Sequence, residues 1–191
     1  DRFDLIFTYS QELISIDPEK FKWYPHVGCW IKDEDIKIHD KTNLLSIIAS
    51  NKSMTSGHKL RHEAIKELSP SMDVFGRGIK DLPYKLDGLS PYMFSVVIEN
   101  IKYDDYFTEK IIDCFATGTV PIYWGTPSVK NFFNSDGIIF FETIEELRDI
   151  VYNLDKEDYF SRIDSIKYNL EKSKEFILAE DWIFKHYPNC F

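Results

Sequence analysis

Short apolar runs alternate with stretches of helical periodicity along most of this chain. Six runs of strand length predict strands: residues 4–9, 43–50, 72–76, 93–98, 120–124 and 137–141. Four segments predict helices: residues 58–68, about 108–117, about 143–154 and most of 157–187. Because strands and helices alternate, we predict an α/β fold with a mostly parallel sheet.

Local signals mark the ends of two of these helices. Gly118 follows the apolar helix directly, as a glycine that ends a helix does. Thr143 and Glu146 have the spacing of a capping box, which predicts a helix start at that point. Residues 22–31 are aromatic-rich and contain Pro25, so they predict an irregular segment, and the charged stretch 32–41 is the best linker candidate.

Composition narrows the class of protein. The chain has 191 residues, of which 43% are hydrophobic and 16% aromatic, as expected of a folded domain with a filled core. It carries 23 basic and 32 acidic residues, for a net charge of −9. Because a long polyanion would be repelled by this charge, nucleic acid is not expected as a partner.

The cysteines and the first residues of the chain indicate the cellular compartment in which the protein is expected. The three cysteines, Cys29, Cys114 and Cys190, lie far apart without metal-finger spacing, so we expect reduced thiols. No apolar run is long enough for a transmembrane segment, and the start DRFDLIF lacks the features of a signal peptide. The sequence therefore predicts a cytoplasmic protein, and the missing initial methionine leaves open whether it is a fragment.

The stretch YDDYFTEK, residues 103–110, lies where a predicted strand hands over to a helix. In a parallel sheet, ligands collect at such junctions, where the helix presents free N–H groups. A helix N-terminus alone contributes only roughly 0.3 to 1 kcal/mol to anion binding, so a phosphate site needs added cations such as Lys110. Glu109 could accept hydrogen bonds from sugar hydroxyls. From these residues alone, simple helix capping by Thr108 and Glu109 is an equally good interpretation.

The surrounding sequence favours the binding interpretation. Residues 94–127 contain a set of elements at fixed spacing: Phe94, Glu99-Asn100, Tyr106, Thr108-Glu109-Lys110, Gly118, Pro121 and Gly125-Thr126-Pro127. This pattern resembles the signature of the α1,3/α1,4-fucosyltransferases, glycosyltransferase family ten. Two weaker stretches, 47–68 and 72–78, resemble the same family in the same order.

The resemblance implies a fold and a domain organisation. Members of the family have the GT-B architecture, in which two Rossmann-like halves face a cleft and the second half holds GDP-fucose. Residues 43–191 would be that C-terminal donor-binding domain, a mostly parallel sheet flanked by helices. Residues 1–42 would be a remnant of the N-terminal acceptor-side domain with its linker.

The resemblance also implies a reaction and a site. The enzyme would transfer L-fucose from the nucleotide-sugar donor GDP-fucose to a saccharide acceptor with inversion, without a metal or other cofactor. Arg61 and Lys110 would bind the diphosphate and Glu109 the ribose, while Asn100 and Tyr106 would line the donor pocket. The family's catalytic base belongs to the acceptor half, so no base is assigned in this chain.

Two alternative interpretations of the site remain open from the sequence. A non-catalytic nucleotide-sugar-binding module, or a domain cut off from its acceptor half, would keep the same donor site without completing the reaction. The pair Asp104-Asp105 could hold Mn²⁺ as in GT-A transferases, but the Thr-Glu-Lys that follows favours a metal-independent site.

Three further features have a structural interpretation beside a functional one. His58 and His62 have zinc-site spacing but lack a third ligand, so we expect both on a helix surface. Trp182, Phe184 and Tyr187 could bind a partner, although packing of a terminal helix into the core is the preferred interpretation. Whether Arg77 touches a ligand or caps a turn stays open.

Overall fold

The structure is a computed structural model that describes residues 2–26 and 28–190. It begins with a small β-α-β unit: strand β1 (Ile6–Thr8), helix α1 (Gln11–Ile16) and strand β2 (Phe21–Trp23). The two strands pair in parallel, with Ile6 opposite Phe21. Ser10 caps α1 by accepting a hydrogen bond from Leu13 N–H.

A five-stranded parallel sheet forms the centre of the molecule. Its strands are β3 (Asn43–Ile48), β4 (Asp73–Phe75), β5 (Tyr92–Ile98), β6 (Val120–Trp124) and β7 (Ile139–Phe140). The strand order is β4-β3-β5-β6-β7, and every pairing is parallel. The central strand β5 is buried along its whole length, which explains its nearly continuous apolar sequence.

Helices cover both faces of this sheet. They are α2 (Ser56–Leu68), α3 (Glu109–Ala116), α4 (Ile144–Asn153), α5 (Lys156–Ser161), α6 (Ile163–Ser173) and α7 (Ala179–His186). One hydrophobic cluster joins the sheet to α2 and α4, and includes Ala64 and Leu147. The second cluster joins it to α3 and α7, and includes Ile112 and Trp182.

The predicted fold class is confirmed: the domain is α/β, with a mostly parallel Rossmann-like sheet flanked by helices. The predicted helix ends also hold, because Gly118 has a φ of +68° directly after α3 and Thr143 accepts a hydrogen bond from Glu146 N–H. The segment 157–187, predicted to be helical, contains three helices and a short 3-10 turn.

The main differences lie near the N-terminus. Helix α1 was not predicted, and β2 lies in a region predicted to be irregular. Both elements are short and carry few apolar residues in a regular pattern, so their signal is weak. The last predicted strand, 137–141, is shortened to β7 because the 3-10 turn Ser135–Gly137 occupies its start.

Residues 1–42 pack against the main domain where they are described. Ile31 belongs to the same hydrophobic cluster as α3, and Lys37 N–H donates to the carbonyl of Ala116 at 3.0 Å. The proposed division between an acceptor-side remnant, 1–42, and the donor domain, 43–191, stays a prediction. Within the described residues, no helix has the length and apolar character needed to cross a membrane.

Candidate functional site

A cavity of about 280 Å³ opens at the carboxyl ends of β3, β4 and β5. Its wall combines apolar strand residues with charged side chains from α2, α3 and two loops. The charged members are Arg61, Arg77, Lys85, Glu109 and Lys110. Strand ends of a parallel sheet are the usual place for a ligand, because the following helices direct their N-termini there.

The N-terminus of α2 lies very close to the carboxyl end of β5. Thr55 caps the helix, and the His58 side chain returns the interaction by accepting from Thr55 N–H at 3.3 Å. Gly57 donates its N–H to the carbonyl of Asn100 at 3.0 Å, and a Cβ at Gly57 would lie 1.7 Å from the carbonyl of Glu99. A residue without a side chain is therefore required there.

This approach places Arg61 one turn further along α2, facing the strand end. Its Nε donates to the carbonyl of Ile98 at 2.9 Å, and its Nη2 donates to the same carbonyl and to Asn100 Oδ1, the latter at 2.9 Å. Arg61 is only 5% exposed. These bonds fix the plane of the guanidinium, so the arginine is held in the cavity wall before any ligand binds.

Lys110 is oriented by a buried carboxylate. Glu99 follows β5 directly, is fully buried and accepts hydrogen bonds from the backbone N–H and the hydroxyl of Thr108. Lys110 Nζ lies 3.1 Å from Glu99 Oε2 and 2.8 Å from the Thr108 hydroxyl. The Glu-Asn and Thr-Glu-Lys elements of the sequence pattern therefore meet in the structure, where Glu99 binds Thr108 and Lys110.

Glu109 stays ionised beside these cations. Burial by itself would raise the pKa of Glu109, but Lys110 and Lys85 outweigh it and hold the pKa below its ordinary value. Glu109 Oε1 lies 3.5 Å from Lys110 Nζ. A carboxylate at this position can accept hydrogen bonds from neighbouring hydroxyl groups.

The structure brings three of the five predicted site residues into the cavity wall: Arg61, Glu109 and Lys110. Asn100 and Tyr106 lie beside the cavity and not in its wall. The Asn100 side chain is turned toward Arg61, and the Tyr106 ring packs against Tyr9 with centroids 5.3 Å apart. Their roles, like those of the other three, stay predictions.

Two charged residues of the wall were not assigned from sequence. Arg77, whose role was open, lines the cavity next to Gly76 at the end of β4. Lys85 was missed, as was its partner Asp113: Lys85 Nζ lies 2.5 Å from Asp113 Oδ2. No local pattern connects a lysine in a loop to an aspartate on α3, so only the structure shows the pair.

The two histidines of α2 differ in their surroundings. His62 is exposed as expected, but His58 is buried. The expectation that both lie on the helix surface is wrong for His58, because this side chain completes the cap of α2.

The possible Mn²⁺ pair has other contacts in the structure. Asp105, its second member, accepts a hydrogen bond from Gln11 at 2.9 Å. Among the described residues no His, Cys, Asp and Glu cluster has metal-site geometry.

The geometry suits an anion that also carries hydroxyl groups. Four cationic side chains and one carboxylate line the cavity, in a chain whose net charge is −9. A Rossmann-like sheet with such a site at the carboxyl ends of its strands is typical of nucleotide-binding α/β domains. A family model described as glycosyltransferase family 10 (fucosyltransferase), C-terminal, matches residues 38–172, and the chain belongs to this family.

Curated relatives are fucosyltransferases by name. The chain is 29% identical to the alpha-(1,3)-fucosyltransferase FucT of Helicobacter pylori, in a match that covers 88% of this chain and 40% of that protein. It is 31% identical to GDP-fucose protein O-fucosyltransferase 3 of Homo sapiens over 51% of this chain and 25% of that protein. The chain thus spans less than half the length of these relatives.

Solved structures agree. The fold matches a crystal structure of an alpha1,3-fucosyltransferase with GDP-fucose at a TM-score of 0.53 and 30% identity, over 68% of this chain and 39% of that one. A second alpha1,3-fucosyltransferase crystal structure matches at a TM-score of 0.52 and 27% identity, over 71% of this chain and 46% of that one. The family predicted from residues 94–127 is therefore confirmed.

Proposed function

We propose that this chain is the donor-binding domain of a fucosyltransferase that moves L-fucose from GDP-fucose to a hydroxyl of a saccharide acceptor. The observation that carries the proposal is the preorganised pair of cations, Arg61 and Lys110, at the carboxyl ends of β3 and β5. The match to the alpha-(1,3)-fucosyltransferase covers 88% of this chain and the match to the protein O-fucosyltransferase 51%, which favours a saccharide acceptor over a protein one.

The proposed chemistry follows from the charge that develops during transfer. Breaking the bond between the sugar's anomeric carbon and GDP leaves negative charge on the diphosphate. Cations that are already oriented stabilise this charge without reorganisation, and they do so most strongly in a site shielded from water. Arg61 and Lys110 meet this requirement without a metal ion, and direct displacement of GDP by the acceptor hydroxyl inverts the anomeric carbon.

The donor domain alone does not complete this reaction. The acceptor hydroxyl must lose a proton to a positioned base, which typically contributes about 10²- to 10⁴-fold. That base is expected from the acceptor half of the family. The alternative of a non-catalytic module is not favoured, because the matched relatives are named fucosyltransferases and the donor-site charges are all present.

Calorimetry tests the donor site directly. The full-length protein would be titrated with GDP, UDP and ADP, beside its Arg61→Ala and Lys110→Ala variants and a Lys59→Ala control on the exposed face of α2. We expect the wild type and the control to bind GDP, and each site variant to lose roughly 10-fold or more in affinity. Unchanged GDP affinity in Lys110→Ala would contradict the proposal.

A transfer assay tests the reaction. Full-length protein, GDP-fucose and an N-acetylglucosamine-containing saccharide should yield a fucosylated product in the presence of EDTA, with the anomeric configuration opposite to that of the donor. Dependence on Mn²⁺ or retention of configuration would overturn those parts of the proposal. Transfer to protein serine or threonine, with none to saccharide, would overturn the acceptor class.

A further inference from the structure

The Lys85–Asp113 pair adjoins the cavity, because Lys85 lines its wall and Asp113 lies against Lys85. Lys85 lies on a 3-10 turn, Lys85–Gly88, which is fixed against β3 because the Ser46 hydroxyl donates to the carbonyl of Gly88 at 2.7 Å. Asp113 is fully buried on α3, and its Oδ1 accepts a hydrogen bond from Trp30 N–H at 2.7 Å. Because the turn that carries Lys85 is fixed by Ser46 and Asp113 is fixed by Trp30, the Lys85 ammonium has a defined position in the cavity wall.

Lys85 is a charged hydrogen-bond donor that can bind a ligand as well as Asp113. Burial alone would lower the pKa of Lys85, but Asp113 outweighs it and raises the pKa above its ordinary value, so the ammonium stays charged. An ammonium has three N–H donors and no acceptor. The Lys85 nitrogen lies 2.5 Å from Asp113 Oδ2 in an ion pair. The remaining donors are available to a ligand, because Lys85 lines the cavity wall.

The position of Lys85 relative to Glu109 fixes which part of a donor it would meet. Glu109 and Asp113 lie four residues apart on α3 and therefore on one face, separated by about 6 Å along the helix. With the diphosphate at Lys110 and the ribose at Glu109, as the proposed function has them, the nucleobase would extend along α3 toward Lys85. Leu89 and Val97 also line the cavity and offer apolar surface to the faces of a flat base.

We propose that Lys85, positioned by Asp113, donates to the C6 carbonyl and N7 of a guanine base and makes the donor site selective for guanine over adenine. Guanine presents two acceptors on that edge, whereas adenine presents an amino donor in place of the carbonyl. With adenine the ammonium keeps only N7 as a base acceptor, and the amino group at C6 faces a cation in place of an acceptor. The inference rests on the proposed function, which places a nucleoside diphosphate in this cavity.

The test compares nucleotides that differ at that edge. GDP, inosine diphosphate, ADP and pyrophosphate would be titrated into the full-length protein and its Lys85→Met variant, with Lys59→Met as the matched surface control. We expect Lys85→Met to lose GDP and inosine diphosphate affinity by roughly 10- to 100-fold. Its affinity for pyrophosphate should be unchanged, and its preference for GDP over ADP should disappear.

Two further variants separate recognition from folding. Removing Lys85 alone leaves Asp113 buried without its partner, so the double variant Lys85→Met/Asp113→Leu removes both charges and should show the same loss of base preference. Lys85→Arg keeps the donors and should retain a preference for GDP.

The outcomes distinguish the two proposals. An equal loss of GDP, ADP and pyrophosphate affinity in Lys85→Met would make Lys85 a phosphate ligand and overturn this inference alone. A GDP-to-ADP ratio that stays at the wild-type value in Lys85→Met and in the double variant would also overturn it. If the wild type binds none of the nucleotides, the proposed function fails and the inference fails with it.

Discussion

At the scale of single residues, Glu99 organises the candidate site although it does not face the cavity. Its carboxylate is fully buried and receives hydrogen bonds from Thr108 and Lys110. A buried charge of this kind is stable only while its hydrogen bonds are complete. The position of Lys110, and with it the cationic part of the cavity, therefore depends on Glu99.

We expect Glu99→Gln to lower the free energy of unfolding by about 2 kcal/mol. An amide offers one acceptor oxygen in place of two, and its NH₂ group would face the donors of Thr108 and Lys110. Urea denaturation would measure the change. Glu142→Gln is the matched control, because Glu142 pairs with Lys102 at the surface, and a change within about 0.5 kcal/mol is expected there. Equal effects of the two substitutions would contradict this account of Glu99.

Lys41 provides a second residue-scale prediction, which concerns pH. Its side chain is half-buried, and its ammonium lies within hydrogen-bonding distance of four oxygens, those of Leu89, Ser90, Thr117 and Thr119. Burial lowers the pKa of Lys41 to about 7 from an ordinary 10.5. Between these two values the unfolded chain binds more protons than the folded one, so this group makes stability rise with pH.

The measurement compares wild type with Lys41→Met in urea at several pH values. The stability of the wild type relative to the variant should increase from about pH 7 to about pH 9.5 and stay constant below about pH 6, where both states carry the proton. Taking the difference between the two proteins cancels the titration of all other groups. A difference that is flat, or that falls with rising pH, would show that the folded state keeps Lys41 charged.

At the scale of residues, only part of the candidate site could be predicted from the sequence. Arg61, Glu109 and Lys110 could be named because each lies in a stretch that resembles a known pattern. Lys85 and Asp113 belong to a loop and a helix that are separate along the chain, and they meet only after the 3-10 turn folds against β3. A contact of this kind leaves no periodicity or spacing in the sequence.

At the scale of elements, the packing of α2 on β5 depends on Gly57. A methyl group there would lie 1.7 Å from the carbonyl of Glu99 and 2.8 Å from that of Asn100, and both are backbone atoms that cannot rotate away. We expect Gly57→Ala to lower the free energy of unfolding by about 3 kcal/mol, at the upper end for overpacking. Thermal and urea denaturation would measure it.

Gly28→Ala is the matched control for this substitution. The nearest atom to a Cβ at Gly28 is the Cβ of Glu109 at 3.9 Å, an ordinary contact, so a change of less than about 1 kcal/mol is expected. Gly57→Ala should also weaken GDP binding, because it moves the start of the helix that carries Arg61. A fully stable Gly57→Ala protein would mean that α2 does not approach β5 as closely as described.

The elements themselves were predicted where local pattern and tertiary packing agree. Strand β5 and helix α3 are apolar enough to be recognised, since both are buried on most sides. By contrast, α1 and β2 have no fully buried residue, so their sequences carry little hydrophobic periodicity. Their conformation is set by the parallel pairing of β1 with β2, which sequence pattern does not encode.

At the scale of the whole molecule, the two ends of the described chain share one aromatic cluster. The Trp23 ring packs edge-on against Trp182 with centroids 5.5 Å apart, and the Tyr187 hydroxyl donates to the carbonyl of Trp23 at 2.6 Å. Trp182 is 3% exposed and belongs to the hydrophobic cluster under α3. The core interpretation of Trp182 holds, whereas Phe184 on the same helix is 65% exposed.

We expect Trp182→Ala to loosen both ends together. Removing a buried tryptophan costs about 3 to 5 kcal/mol, and this ring connects α7 to the segment around β2 through Trp23 and Tyr24. Amide hydrogen exchange should therefore accelerate in residues 21–36 as well as in 176–187, while β5 stays protected. Phe184→Ala, on the exposed face of the same helix, should change stability by less than about 1 kcal/mol and leave exchange in 21–36 unaltered. If Trp182→Ala accelerates exchange only in α7, then residues 1–42 are held independently of the C-terminal helix, as a separate acceptor-side remnant would be.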